Sequence, residues 1–220
     1  MSQPTTEIVY PESDDRPMGE NTLQVRWIIA LMNGFSAYFR DRPDVFVAAD
    51  LFWYPVEAKP KRVTAPDVMI AFGRPKGERR SYKQWEEGGV APQVVIEVLS
   101  PSNTHWTREA LRKFYARHGV EEFYEYDPDG RELTVTVRTA RGLRPTRTVR
   151  SHTSARLGVR FEVPRGDELQ IYGPDGSRFR SYLEVLDEAV AAQEREAEAR
   201  RKADRLAAKL RELGLDPDAV

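Results

Sequence analysis

The sequence contains no cysteine among its 220 residues. This absence excludes disulfide bonds, zinc sites built on thiolates, and catalysis by a cysteine nucleophile. No apolar run approaches the ~20 residues that a membrane-spanning helix requires. The first residues, MSQPTTEIVYPESDD, lack the basic-then-apolar pattern of a secretory signal. We therefore expect a soluble, cytoplasmic protein.

The charges nearly cancel, since 34 Lys and Arg residues stand against 35 Asp and Glu residues. The net charge therefore gives no general argument for binding to nucleic acid. The local distribution is less even, because the segment 138–160 contains seven arginines and no acidic residue. Such a segment can attract a polyanion or can form the solvated face of a hairpin, and both interpretations stay open.

Three regions differ in composition. Residues 1–17 combine three prolines with several acids, which is typical of a flexible arm. Residues 18–175 mix helical and strand patterns, which predicts an α/β or α+β sheet domain. Residues 176–220 contain a long stretch rich in Glu, Arg and Ala with a broken apolar seam. This stretch predicts a helix that projects into solvent or forms a coiled coil, so that we expect a homodimer or another homo-oligomer.

Two acidic residues occupy unusual positions in predicted strands. Asp67 follows Pro66 at the head of an apolar strand, and Glu97 lies inside the apolar run 94–99. An ionised carboxylate there is costly unless positive charge meets it. If the two strands are neighbours, the two carboxylates form a site that suits a hard cation such as magnesium. The alternatives are a turn or capping role for Asp67 and a buried arginine partner for Glu97.

Three further residues complete the predicted site. The backbone carbonyl of Val98 and the carboxylate of Glu20 are candidate metal ligands. Lys113 lies 16 residues after Glu97, in a helix predicted over 104–118. A helix that folds back would return this lysine to the polar end of the strand, where it could orient a nucleophile or stabilise charge on a phosphorane. Lys113 could equally be an ordinary partner in a salt bridge.

Longer motifs indicate a family. They are GEN at 19–21, APDV at 65–68, RRSYKQWEEGGVAP at 79–92, VIEVLSPSNT at 95–104, KFYARHGVEEFYEYDP at 113–128 and LAAKLRELGLDPD at 206–218. With these segments the chain resembles the Uma-two family of restriction endonucleases, within the PD-(D/E)XK nuclease superfamily. The resemblance implies a restriction-endonuclease-like central mixed sheet flanked by helices, with a divalent-metal site at one sheet edge. It assigns the catalytic roles to Asp67, Glu97 and Lys113, and the helix-one acid to Glu20.

The sequence also departs from the family pattern. The usual superfamily position of the lysine, two residues after the glutamate, is Leu99. A histidine that often follows the helix-one acid is Gln24 here, and an aspartate common before the lysine is absent, with Glu109 nearest. These departures leave room for a weakened or lost activity.

The predicted function is therefore hydrolysis of DNA phosphodiester bonds by a Mg²⁺-dependent endonuclease, with Mn²⁺ as a possible substitute. One alternative is an inactive DNA-binding or scaffold protein that self-associates through its C-terminal helix. Another is a phosphodiesterase that acts on RNA or a small nucleotide. Tyr82 and Trp85 either stack on a base or anchor the long loop 74–92. The predicted nucleic-acid contacts are Arg79, Arg80, Lys83, His105, Arg144 and Arg147.

Overall fold

A computed structural model of the protein describes residues 8–12, 21–213 and 216, with only the backbone described at 145–147. Helix α1 covers Thr22–Tyr38, α2 covers His105–His118 and α3 covers Tyr182–Glu212. One capping residue precedes each helix, and its side chain accepts a hydrogen bond from a backbone N–H of the first turn. These caps are Asn21, Thr104 and Ser181. The helix predicted over 104–118 and the long C-terminal helix are confirmed.

Eleven strands lie in the described part of the chain. They are β1 (Val45–Ala48), β2 (Trp53–Tyr54), β3 (Val68–Phe72), β4 (Tyr82–Lys83), β5 (Val94–Val98), β6 (Glu122–Asp127), β7 (Glu132–Thr139), β8 (Gly142–Val149), β9 (Ser151–Thr153), β10 (Arg160–Glu162) and β11 (Gln170–Tyr172). Six of them form one sheet in the order β1-β3-β5-β6-β7-β8. Strands β11-β10-β9 form a second sheet, and β2 pairs with β4.

The large sheet is mixed. Strands β5 and β6 run parallel, and the other neighbouring pairs in this sheet are antiparallel. A parallel pair needs a crossover connection, and α2 provides it between β5 and β6. Gly119 ends α2 in the left-handed conformation, with φ of 104°. The predicted mixed α/β architecture, with a central sheet, helices and a long C-terminal helix, is confirmed.

The two faces of the large sheet bury different side chains. Since side chains alternate along a strand, Ile96 and Val98 of β5 join the cluster that contains Phe35 of α1 and the second sheet. Val95, between them, joins the cluster that contains Tyr115 of α2. Glu97 has the same parity as Val95, so it lies on the α2 face of the sheet.

Residues 8–12 belong to the predicted flexible arm, and the structure packs them against the domain. The ring of Tyr10 lies 5.2 Å from that of Tyr54 and 5.1 Å from that of Trp85, measured between centroids. The Tyr54 hydroxyl donates to the carbonyl of Pro11. The remaining residues of the predicted arm, 1–7 and 13–17, lie outside the described residues.

The chain divides into two compact units, Met1–Phe179 and Arg180–Val220. The second unit consists mainly of α3, in which no described residue is buried. Its exposed apolar side chains include Leu183, Leu186, Val190 and Leu206. Within the described ranges, no helix is long and apolar enough to cross a membrane.

Candidate active site

Three acidic residues follow one another across the middle of the large sheet. Val68 of β3 pairs with Ile96 of β5 in antiparallel register, which sets Asp67 opposite Glu97. Glu97 in turn pairs with Glu125 of β6 in parallel register. Paired residues on neighbouring strands present their side chains to the same face, which here is the face covered by α2. The sheet therefore places these three acids side by side beneath one helix.

The carboxyl groups of Asp67 and Glu97 contact each other. They share a side-chain hydrogen bond, and the carboxyl of Glu97 also accepts from the backbone N–H of Asp67. The Oδ2 atom of Asp67 accepts from the backbone N–H of Val98, at 2.7 Å. The structure thus brings together the two acids that the sequence predicted to meet.

This contact changes the acidity of Glu97. Burial raises the pKa of Glu97 well above its usual value, and the negative charge of Asp67 raises this pKa further. A hydrogen bond from Tyr115 acts in the opposite direction without cancelling the shift. The two carboxyl groups therefore favour a state in which they hold a proton or meet a cation.

Tyr115 of α2 is the donor that sequence reasoning missed. Its hydroxyl donates to Oε1 of Glu97 at 2.5 Å, and the residue is fully buried. Its ring stacks on that of Trp53 with a centroid distance of 6.2 Å. Burial and the neighbouring Glu97 raise the pKa of Tyr115 well above its usual value, so the phenol stays neutral and keeps its proton for donation. Tyr115 therefore orients the Glu97 carboxyl from the helix side.

Tyr115→Phe is expected to lower the free energy of unfolding by about 1–2 kcal/mol, since it removes a buried hydrogen bond to a carboxyl group without changing the packing of the ring. The measurement is urea unfolding at pH 7. Tyr182→Phe is the control, because Tyr182 is 72% exposed and its loss of a hydroxyl should change stability little. Equal stabilities for the two variants would contradict this role of Tyr115.

Gln24 of α1, which stands where the family often has a histidine, also contacts the site. It is buried, and its Nε2 donates to the backbone carbonyl of Val98 at 3.0 Å. The carbonyl of Val98, a predicted metal ligand, therefore accepts a hydrogen bond from the amide of Gln24. Glu20, the other predicted ligand, lies outside the described residues.

Lys113 does not reach the two carboxyl groups. Its side chain is 76% exposed, and its ammonium lies 3.6 Å from a carboxylate oxygen of Glu109. Residues two apart in an α-helix point about 200° apart. Because Tyr115 faces the sheet, Lys113 faces away from it. The structure therefore places the Lys113 ammonium at the surface beside Glu109, and the catalytic role that the resemblance implies for Lys113 stays a prediction.

Arg108 is a basic residue of α2 that does reach the row of acids. It lies seven residues before Tyr115, close to two full turns, and so shares its face of the helix. Its Nε donates to Oε1 of Glu125 at 2.7 Å. Glu125 is only 3% exposed, so the guanidinium balances a buried charge directly beside Glu97 in the sheet. The seven-residue spacing between Arg108 and Tyr115 is the sequence signal from which this position could have been found.

The donor chemistry of the Asp67–Glu97 pair fits a magnesium ion. Both side chains offer hard oxygen ligands, and their mutual repulsion supplies a reason to accept a cation. Within the described part of the chain, no cluster of three or more His, Asp or Glu residues could hold a metal ion. Magnesium is commonly held by one or two carboxylates together with water and substrate phosphate, so a pair of carboxylates is sufficient.

Of the predicted nucleic-acid contacts, Arg79 is not available at the surface. Its side chain is 12% exposed, its Nε lies 2.6 Å from a carboxylate oxygen of Glu87, and its guanidinium lies 3.8 Å above the ring of Phe46. The prediction of a surface cation here is corrected, because Arg79 holds the long loop together. Tyr82 does the same, since it is fully buried and its hydroxyl donates to the carbonyl of Val90 at 2.8 Å.

The other predicted contacts lie nearer to solvent. Arg80 is 84% exposed and pairs with Glu12 at 3.1 Å, and Lys83 lies 3.3 Å from Glu86. His105 and Arg144 are exposed. The side chain of Arg147 lies outside the described atoms. Their contacts with nucleic acid stay predictions.

The arginine-rich segment divides into internal and exposed residues. Arg138 donates to the carbonyls of Ala116 and Val120 near the end of α2. Arg156 and Arg160 pair with nearby glutamates although their side chains are 44% and 42% exposed, and Arg141, Arg144 and Arg150 are exposed as well. Arg138 is therefore the structural residue of this segment, and binding of a polyanion by the others stays a prediction.

Comparison with known proteins agrees with the sequence motifs. One solved structure similar to this chain is titled as that of "a putative nuclease belonging to DUF820" from Anabaena variabilis; it is 16% identical, and the TM-score is 0.43. The similarity covers 55% of this chain and 65% of that one, which is less than two thirds of its length. No curated protein matches the sequence. The model of the Uma2 family, described as "Putative restriction endonuclease", matches residues 14–176, and the chain belongs to this family.

Proposed function

We propose that the protein is a magnesium-dependent nuclease that hydrolyses phosphodiester bonds of DNA. The observation that supports this most directly is the contact between the carboxyl groups of Asp67 and Glu97 on the α2 face of the sheet. Such a contact is unfavourable by itself, and a divalent cation would compensate for it. Membership of a family described as restriction endonucleases favours DNA as the substrate.

Asp67 and Glu97 would hold the metal, with Mn²⁺ as a substitute for Mg²⁺. When bound, the ion would supply Lewis-acid activation of water and would neutralise charge on the phosphate. The chain prepares the two ligands in advance. The Val98 N–H fixes one oxygen of Asp67, and the Tyr115 hydroxyl fixes one oxygen of Glu97. Little side-chain reorganisation is then needed when the cation and the substrate arrive.

The test of this proposal is cleavage of duplex DNA with and without magnesium. The assay includes the parent protein and the variants Asp67→Asn and Glu97→Gln. Each protein is also tested on single-stranded DNA and on RNA at the same salt concentration, because affinity for nucleic acid depends on salt. Cleavage of RNA in preference to DNA would favour the alternative phosphodiesterase. Cleavage that neither depends on magnesium nor changes in the variants would contradict the proposal.

A second candidate function is DNA binding without catalysis. The position of Lys113 favours it, since this lysine is exposed and turned away from the carboxyl pair. A protein of this kind would bind duplex DNA, show no turnover and give no calorimetric signal with magnesium. A calorimetric titration with magnesium, run beside the cleavage assay, therefore separates the two candidates.

Self-association through α3 is a further part of the proposal. Leu186 and Val190 are 45% and 47% exposed and lie on one side of the helix. Leu186→Glu combined with Val190→Glu is expected to convert a dimer into a monomer in sedimentation velocity, because it places charges in an apolar seam. Ala192→Glu with Ala199→Glu adds the same charge on the opposite side and should leave the dimer intact. A parent protein that sediments as a monomer would contradict the coiled coil.

A further inference from the structure

We propose that Arg108 is a catalytic residue that contacts the phosphate of DNA bound at Asp67 and Glu97, the role that sequence reasoning gave to Lys113. This inference rests on the proposed nuclease function. It follows from the placement of one guanidinium group beside the three acids that cross the sheet beneath α2.

The register of the sheet places Arg108 close to the proposed site. Its Nε lies 2.7 Å from Oε1 of Glu125, which is the direct neighbour of Glu97 across two parallel strands. Neighbouring strands are about 4.8 Å apart. The guanidinium is therefore paired with the residue that lies one strand spacing from Glu97, on the same face of the sheet.

The helix face supports the same assignment. Arg108 and Tyr115 lie on one side of α2, and the Tyr115 hydroxyl already donates to Glu97. Lys113, on the other side, is engaged with Glu109 at the surface. One face of α2 therefore supplies both a neutral donor and a cation to the row of acids.

Arg108 also keeps capacity for a ligand. Its side chain is 33% exposed, whereas that of Glu125 is 4% exposed, so the pair is open on the arginine side only. The hydrogen bond from Arg108 to Glu125 uses Nε, and neither Nη nitrogen of Arg108 has a hydrogen-bond partner among the described residues. A guanidinium remains protonated at any working pH, and its planar fork matches the oxygens of a phosphate. The ion pair with Glu125 would hold the fork in place for this contact.

The competing explanation is that Arg108 serves only to balance the buried charge of Glu125. A single Arg108→Met substitution cannot separate the two roles, because it leaves that carboxylate unpaired and can unfold the protein. The double variant Arg108→Met with Glu125→Gln removes both charges and restores a neutral interior. If balancing is the only role, this double variant regains the activity of the parent.

The experiment measures single-turnover cleavage of duplex DNA at saturating protein with magnesium, for variants whose circular dichroism and thermal midpoint match those of the parent. The double variant is expected to be slower than the parent by about a hundredfold or more, the scale seen when one donor to a transition-state anion is lost. Arg108→Lys, which keeps the charge but loses the fork, should fall between the two. Arg117→Met is the matched control, since Arg117 is an exposed arginine of the same helix, and it should stay within about twofold of the parent.

Two results would overturn the assignment while leaving the proposed nuclease intact. One is a double variant that cleaves at the parent rate while Asp67→Asn is inactive. The other is Lys113→Met losing more activity than the double variant. A parent protein without magnesium-dependent cleavage would overturn both the nuclease function and the role of Arg108.

Discussion

Asp67→Asn and Glu97→Gln are each expected to lower the rate of magnesium-supported DNA cleavage by on the order of a thousandfold or more. Each substitution keeps the shape of the side chain and removes the negative charge that would hold the cation. An amide oxygen is a weaker ligand for a hard cation than a carboxylate oxygen. The measurement is the single-turnover rate on a labelled duplex at fixed ionic strength, with magnesium varied up to several millimolar.

Matched controls remove a carboxylate elsewhere in the same domain. Asp41→Asn changes a side chain that is 88% exposed, and Glu132→Gln changes an exposed residue at the start of β7. Both should cleave at the parent rate, because surface substitutions of this kind disturb neither the fold nor the site. If Asp67→Asn and Glu97→Gln behave like these controls, the two carboxyl groups do not form the active site.

The proximity of Asp67 and Glu97 was predictable because it depends on local patterns. Asp67 directly precedes the apolar strand β3 and Glu97 lies in β5, and neighbouring strands in register bring equivalent positions together. Glu97 interrupts an apolar run, which marked it as a residue with a special partner. The strands and helices of the domain followed from the same patterns, because periodicity, caps and turn residues are read from the sequence directly.

The position of a cation on α2 is harder to predict from the sequence, because it depends on which face of the helix packs on the sheet. Lys113 lies only two residues from Tyr115, yet this small separation places it on the opposite side of the helix. The apolar residues around Tyr115 mark the buried face, and Arg108 lies on it. That Arg108 would meet Glu125 depends on the crossover from β5 to β6, which no local pattern specifies.

Two other contacts depend on tertiary structure alone. Gln24 reaches the carbonyl of Val98 across 74 residues of sequence, and nothing near either residue predicts this. Arg79 lies in a charged loop that looks like a surface for DNA. Its burial results from Glu87 and Phe46, which only the fold brings to it. Basic residues in a long loop are therefore weak evidence for nucleic-acid contact until their partners are known.

Glu97→Gln is also expected to make the metal-free protein more stable, by about 1–3 kcal/mol at neutral pH, because it removes a carboxyl group whose ionisation burial and Asp67 oppose in the folded protein but not in the unfolded chain. The pKa of Glu97 is raised in the folded protein above its ordinary value of 4.5, so the folded state binds more protons than the unfolded chain once the pH exceeds that value. The free energy of unfolding of the parent therefore falls as the pH rises from about 4.5 toward the folded pKa of Glu97, and the variant lacks this decline.

Urea unfolding from pH 5 to 8 measures this difference, first with a chelator and then with magnesium, and Glu132→Gln serves as the control that should follow the parent. Magnesium should stabilise the parent, because a ligand that binds only the folded state adds to the free energy of unfolding. The variant gains little, so the stability advantage of Glu97→Gln should shrink or reverse as magnesium is added. A parent that is as stable as the variant without metal at pH 8 would contradict the repulsion between the two carboxyl groups. A parent that magnesium leaves unchanged would show that the carboxyl pair does not bind this cation, because a ligand that binds only the folded state must add to the free energy of unfolding.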